Sequence, residues 1–415
     1  MIRKLDVIIL ITIIIGSNQV LFAQTNYQFK IGKIDSIYSN ILKESRELYI
    51  HLPESYDSNS QRKYPVIYVL DGDVLLNTVS TVHDFYWGGY MPEMIIVGIS
   101  NENNRTRDLT TSKIQSRRGT EYNQEHGGAN DFIMSIEKEL IPYIEKNYPV
   151  TNYRTLIGHS YGGLFTINTL INHTDLFDNY LAIDPSLDWD NQKLLKQSKE
   201  VIKSNSLEGK SLFITLSGQL HRQNSDITIN NVMQDSSEYT LFARSNIEFF
   251  KFAESNKQDK FNVKWKFYKD DLHGTVPLPS IIDGLIYFFE WYRMEKTDKL
   301  NSFDTPKDEL YEIIEYRANK LKSHFKYQVP PYPEDLFNML GYMNMEMQQL
   351  EKAKMYFELC IEYYPESTNA YDSMAEYYAS QNDFENAIKN IEKALEINEN
   401  EYFRNKIEEY KKNEK

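Results

Sequence analysis

Leu156-Ile157-Gly158-His159-Ser160-Tyr161-Gly162-Gly163 decides how this chain is read. A short apolar, β-like run from Tyr153 to Ile157 leads into it, and an apolar helical run from Leu164 to Ile171 leads out. Between them, Gly158, Ser160 and Gly162 spell G-x-S-x-G. That spacing suits a sharp strand-to-helix turn with a serine at its apex. The serine takes a strained backbone conformation there. Neighbouring segments pass so close that glycine is expected two residues before it and two after. The hydroxyl is then held at the end of a sheet, beside helix N–H groups that favour negative charge.

The surrounding pattern supplies the sheet. Arg46 to Pro53 alternates polar and apolar residues, as an edge or second strand does. Pro65 to Leu70 and Met94 to Ile99 are continuous apolar runs, the mark of buried parallel strands. Residues 130–147 carry apolar side chains at helical spacing, with Asn130 placed to cap them. Beyond the serine, Tyr180 to Ile183, Leu212 to Leu216 and Val263 to Tyr268 read as further strands. Residues 238–255 and Ser280 to Met294 read as helices. Alternating strands and helices of this kind predict an α/β fold with a parallel sheet between helical layers.

A serine hydroxyl is a weak nucleophile and needs a base, which in turn needs an acid to orient it. With the order serine, acid, histidine, the candidate bases are His173, His221, His273 and His324. His173 falls at the end of the helix leaving the serine, and His324 lies beyond the last strand. His273 sits in the polar loop Asp270-Asp271-Leu272-His273-Gly274-Thr275, just past a strand end, where sites of open α/β sheets gather. His273 is therefore the expected base, with His221 second. The acid is expected after Leu212 to Leu216, but Ser217-Gly218-Gln219-Leu220 follows. Asp226, Asp235 and Glu238 are the candidates, and Asp235 is preferred, although Asp235 to Glu238 also spells a capping box. A serine–histidine pair without an acid is the remaining option. The backbone N–H of Tyr161 is an expected oxyanion donor. The second donor is expected at Gly72 or Asp73, in a stretch that also reads as a tight turn.

Three segments together resemble one family: Tyr64-Pro65-Val66-Ile67-Tyr68-Val69-Leu70-Asp71-Gly72, Gly158 to Gly163, and His273-Gly274-Thr275-Val276-Pro277. They are similar to the esterase D and enterochelin-esterase-like branch of the α/β-hydrolases. Glu139-Leu140-Ile141-Pro142-Tyr143-Ile144 is similar to that family too. The resemblance spans about residues 28–295. It implies a serine esterase without metal or other cofactor, with Ser160 as nucleophile, His273 as base, and Asp73 and Tyr161 as oxyanion amides. The family spans siderophore trilactone, feruloyl and acetyl esterases, formylglutathione hydrolases and mycolyltransferases, so the resemblance does not name a substrate. An acyltransferase shares the same acyl-enzyme. Trp87, Trp189 and the tyrosines of Tyr86 to Tyr90 are candidates for an acyl or aromatic pocket, or for core. Arg105 and Arg107 are candidates for meeting an anionic group, or for a solvated loop.

The chain has 415 residues and a net charge of −14, which argues against nucleic acid or anionic membrane as main partner. No dinucleotide fingerprint, phosphate-binding loop or H-E-x-x-H zinc motif is present. Met1-Ile2-Arg3-Lys4 followed by the apolar run Val7 to Ile15 reads as a signal peptide over 1–23, cleaved after Ala23, and implies a periplasmic or secreted protein with no stable membrane span after cleavage. The single cysteine, Cys360, permits no internal disulfide and reads as a packing residue.

Residues 24–297 form the expected hydrolase domain and 298–333 a helical linker, helical from Lys307 to Phe325 and ending in the proline-rich Val329 to Pro333. Residues 334–415 then repeat at an offset of 34: Leu340 with Met374, Gly341 with Ala375, Ala353 with Ala387, Phe357 with Ile391, Cys360 with Ala394. This is the tetratricopeptide pattern, with small residues where helices touch. Residues 402–413 suit a capping helix. Two repeats fall short of independent stability, so the preceding helix and the hydrolase body are expected to complete the stack. A protein partner held by the repeats, with the serine site merely inherited, is the alternative reading of function.

Overall fold

The computed structural model describes residues 32–56, 62–117, 119–204, 207–221, 223–257 and 261–413. The export segment expected at 1–23 lies outside them. Among the described residues, no helix is long and apolar enough to cross a membrane.

Eight strands form one mixed sheet: β1 (Lys33–Ser39), β2 (Glu44–His51), β3 (Tyr64–Leu70), β4 (Ile95–Ile99), β7 (Val150–His159), β8 (Asn179–Ile183), β9 (Ser211–Ser217) and β10 (Asn262–Tyr268). Their order across the sheet is β1-β2-β4-β3-β7-β8-β9-β10. β1 and β2 run antiparallel at one edge, and the strands from β4 to β10 run parallel. β3, β4 and β8 are buried along their whole length, which is why they read as unbroken apolar runs. A separate small hairpin joins β5 (Ser116–Arg117) to β6 (Thr120–Glu121).

Each strand that reads clearly in the sequence is present: Pro65–Leu70, Tyr153–Ile157, Tyr180–Ile183, Leu212–Leu216 and Val263–Tyr268 are extended at one or both ends, Met94–Ile99 begins one residue later, and Arg46–Pro53 is shifted back to Glu44–His51. The helix expected over 130–147 is present with a π-helical turn, Ile136–Leu140, inside it. Two long helices carried no sequence signal strong enough to assign. Gly72–Tyr86 is rich in β-branched residues, which lowers helix propensity, yet it buries Leu75, Leu76, Val79 and Val82 at helical spacing. Trp189–Lys203 follows β8 and has positive φ at Asp190, Asn191 and Gln192 near its start.

Residue contacts divide the chain after Trp291. In the second unit the helix Lys307–Phe325 shares a core with the repeats: Leu310 and Ile314 pack with Tyr332, Phe337, Tyr356 and Cys360. Residues 298–333 are thus part of the helical unit rather than a linker, because one face of this helix is apolar and needs cover. The repeats are two helix pairs, Glu334–Glu346 with Leu350–Tyr363 and Thr368–Ser380 with Phe384–Ile397. Gly341 is required at the first crossing, since a Cβ there would lie 2.5 Å from the Phe357 ring. The last helix, Glu401–Asn413, closes the stack with Phe403, Ile407 and Tyr410. Cys360 is buried, and burial pushes its thiol up to about 12, so it packs rather than reacts.

Candidate active site

The turn at Ser160 has the expected strain. Its φ of 60° and ψ of −111° are costly for any residue with a Cβ, on the order of 1–3 kcal/mol. The surroundings hold it there: Ser160 N–H donates to the Ile183 carbonyl at 2.9 Å, and its carbonyl accepts from Leu164 and Ser186. The glycines divide the work differently from the motif. A Cβ on Gly158 would lie 2.3 Å from the Gly162 carbonyl oxygen, and one on Gly163 would lie 2.9 Å from Pro185. A Cβ on Gly162 would meet only Leu70 and Asp71, at 3.6 Å. The second obligatory glycine is therefore Gly163, which lets the elbow helix pass over the turn after β8.

His273 bridges two side chains. Its Nε2 lies 3.0 Å from Ser160 Oγ and its Nδ1 lies 2.6 Å from Asp184 Oδ2. Asp184 is fully buried, with φ of 43°, immediately after β8. Its other contacts come from Ser217 at the end of β9: the N–H donates to Oδ1 at 3.0 Å and the hydroxyl to Oδ2 at 2.8 Å. A buried carboxylate satisfied in this way is fixed in orientation and fixes the imidazole in turn.

The partner of His273 is Asp184, not Asp235. Both ring nitrogens of His273 are occupied, and Asp235 instead accepts from the Ser237 N–H at 2.7 Å and from Thr240 Oγ1 at 2.9 Å, in a local turn ahead of the next helix. The Ser237 and Thr240 hydrogen bonds hold its carboxyl below the usual range. Asp226 and Glu238 are exposed. The reason for the shift of one strand lies in the sheet order. β8 stands between the serine strand β7 and β9, and the loop after β10 that carries His273 closes over the end of β9, so a carboxylate at the tip of β8 meets the histidine directly. The residues found where the acid was expected serve that geometry. Ser217 holds Asp184, and Gly218 lets the histidine loop close down, since a Cβ there would lie 2.0 Å from the Lys269 carbonyl oxygen. The Gly218 N–H also donates to Asp271 O at 2.8 Å. The sequence signal was Asp184-Pro185-Ser186, a polar break at a strand end.

The other histidines lie elsewhere. His221 Nδ1 accepts the N–H groups of Gln223 and Asn224, His173 lies 3.6 Å from Glu137, and His324 is on a helix of the second unit.

Two helix N-termini adjoin the serine. Tyr161 opens the elbow helix, and Gly72 and Asp73 open the helix after β3, so both ends present first-turn N–H groups that lack intrahelical acceptors. Asp71, with φ of 52°, makes the turn between β3 and its helix, and Gly72 is required because a Cβ would lie 2.5 Å from Gly98. Arg105 ties the two ends together. It grips Asp71 with Nε at 2.8 Å and Nη2 at 2.9 Å, and Nη2 also donates to the His159 carbonyl at 3.1 Å. Burial pushes the Asp71 carboxyl up, and the Arg105 charge opposes that shift. Arg105 is thus internally engaged, and Arg107 likewise pairs with Glu44 and Asp108, so neither is a solvated loop residue.

Of the aromatic candidates, Trp189 is buried, donates to the Ser112 carbonyl at 3.0 Å and stands edge-on to Tyr161 with centroids 5.4 Å apart. Arg117, from the small hairpin, lies 5.1 Å from both the Tyr161 and the Trp189 ring centroids. Trp87 and Tyr86 sit at the far end of the helix that starts at Gly72, roughly 20 Å along its axis from that start. They do not line the serine site.

Among the described residues, one cluster has metal-ligand composition: His51, His83 and Asp84. The Met94 N–H donates to His83 Nε2 at 3.0 Å, which places the ring proton on Nδ1, facing Asp84 Oδ1 at 2.8 Å. Nδ1 then has no free lone pair, and the cluster reads as a hydrogen-bonded structural group.

Comparison with known proteins agrees with this architecture. The family model described as "Putative esterase" matches residues 39–274, and a tetratricopeptide-repeat model matches 334–367 and 368–401. The ferri-bacillibactin esterase BesA of Bacillus subtilis is 29% identical over 231 residues, covering 51% of this chain and 79% of that protein. A siderophore enterobactin esterase of Emericella nidulans is 28% identical over 180 residues, 41% of this chain and 59% of that protein. The crystal structure of an IroE-like serine hydrolase from Shewanella oneidensis superposes with a TM-score of 0.64 at 28% identity, covering 80% of this chain and 99% of that one. The chain belongs to this esterase family and carries two tetratricopeptide repeats behind its α/β domain.

Proposed function

We propose that the protein is a serine esterase that cleaves carboxylic esters through an acyl-enzyme, with Ser160 as nucleophile, His273 as base and Asp184 as the acid that orients it. The single observation that carries this reading is the relay from Ser160 Oγ to His273 Nε2 at 3.0 Å and from His273 Nδ1 to Asp184 at 2.6 Å. Ser160 Oγ attacks the ester carbonyl carbon while its proton passes to Nε2. The oxyanion forms beside the elbow, where the N–H of Tyr161 and that of Asp73 donate to it. The Nε2 proton then goes to the departing alkoxide, leaving an acyl-serine. Water enters, gives its proton to Nε2 and attacks the acyl carbon. Collapse returns the proton to Ser160 and frees the acid. Asp184 stays ionised throughout and stabilises the imidazolium.

The relatives named for siderophore esters favour a siderophore-type ester as substrate and water, rather than another acceptor, as the second nucleophile. The export signal read at 1–23 fits action outside the cytoplasm, and the repeats fit a role in holding a partner protein. Hydrolysis of an aryl acetate by the wild-type protein, abolished in Ser160→Ala, is the expected result. Equal rates in the two proteins would contradict the proposal.

A further inference from the structure

The ring of His159 has no part in the relay, yet it lies against the base. Its centroid is 4.6 Å from that of His273, at an interplanar angle of 41°. Its Nε2 is buried and has no hydrogen-bond partner. A buried nitrogen without a partner is costly, and the same imidazole interacts with the backbone of His273, which ties this ring to the base.

The geometry of His273 indicates what is missing. Hydrogen bonds at Nδ1 and Nε2 align the imidazole, and rotation about Cα–Cβ and Cβ–Cγ is the motion that would swing the ring out of line with both partners. That rotation degrades both bonds, which require their partners near the ring plane, and packing against the faces of the ring limits it. Phe242 meets it edge-on at 5.5 Å and 87°, and His159 supplies the other contact. His159 directly precedes Ser160 in the chain and its carbonyl is held by Arg105, so this contact is rigidly joined to the serine it serves.

We infer that His159 is a positioning residue for His273, its ring bracing the base so that one orientation reaches both Ser160 and Asp184. Burial and the nearby His273 and Arg105 push the His159 pKa down to about 4, against the opposing pull of Asp184 and of a hydrogen bond to the His273 backbone. The brace therefore remains uncharged when an imidazolium forms on His273, and does not repel it. The inference rests on Ser160 and His273 being the reacting pair.

The test is steady-state hydrolysis of an aryl acetate across pH by wild type, Ser160→Ala, His159→Ala and His159→Phe, each checked by circular dichroism. His159→Ala is expected to lose about 10- to 100-fold in kcat with KM within about twofold, the pattern of a misaligned base. Water entering beside His273 should favour its protonated form and move the acidic limb of kcat/KM to higher pH. His159→Phe restores a flat ring and should recover most of the loss. Wild-type kcat and pH profile in His159→Ala would overturn the inference, as would a folded His159→Phe no better than His159→Ala. If Ser160→Ala is as active as wild type, the reading of the reacting pair fails instead; if it is inactive while His159→Ala is unimpaired, only the positioning role fails.

Discussion

Asp184 and His273 meet at 2.6 Å, although 89 positions separate them in the chain and the carboxylate comes from the strand next to the serine strand. Asp184→Asn is expected to lower kcat by about 10²–10⁴-fold, since the amide favours the wrong imidazole tautomer. Asp235→Asn should leave kcat within about twofold of wild type. Parallel kinetics on both variants decide between the two carboxylates, and a loss confined to Asp235→Asn would contradict the assignment.

Arg105 neutralises the buried Asp71 carboxylate while holding the His159 carbonyl. Arg105→Ala leaves that carboxylate unpaired, at a cost of about 3–5 kcal/mol near neutral pH. The sign with pH follows from burial. The Asp71 pKa is already raised in the folded protein, and without Arg105 it rises further. The folded variant then holds a proton that the unfolded chain releases above its carboxylate pKa. Its stability deficit should shrink as pH falls toward about 4 and grow as pH rises. Thermal melts of the variant and wild type at several pH values check this.

Gly162 and Gly163 are neighbours with unequal demands. Gly163→Ala places a Cβ 2.9 Å from Pro185, at the turn that carries Asp184, and should cost about 2–4 kcal/mol together with most activity. Gly162→Ala meets only ordinary contacts and should stay within about 1 kcal/mol of wild type. Denaturant midpoints of the two variants give the comparison.

His159 offers a stability test independent of catalysis. Its pKa of about 4 lies below the free-histidine value, so the unfolded chain takes up a proton between about pH 6.5 and 4 that the folded protein refuses. Wild type should lose on the order of 2 kcal/mol from this site between pH 6.5 and 5, and His159→Phe should lack that component. Melting curves over this range read the difference.

The elbow, its flanking strands, the place of His273 beside Ser160 and the repeat helices were legible because each depends on local pattern: a glycine-spaced turn, apolar strand runs, a polar loop past a strand end, and a repeating small-residue register. The carboxylate that meets His273 was not, because it is set by which strand tip faces the histidine loop, a property of sheet order. Asp184 carries the signature of any strand-end aspartate, whereas Asp235 carries a cap signature and is engaged locally by Ser237 and Thr240. The helix Gly72–Tyr86 escaped for a different reason. Val74, Thr78, Val79, Thr81 and Val82 argue locally for strand, and burial of one face against the sheet overrides them. Residues 298–333 read as a linker from their charge and prolines, while Leu310, Ile314 and Tyr332 place them in a core.

The central claim is that Ser160 is the nucleophile activated by His273. Labelling with a fluorophosphonate followed by peptide mapping tests it most directly. Modification is expected at Ser160, lost in Ser160→Ala and slowed by orders of magnitude in His273→Ala. Labelling at another serine, or an undiminished rate in His273→Ala, would contradict it.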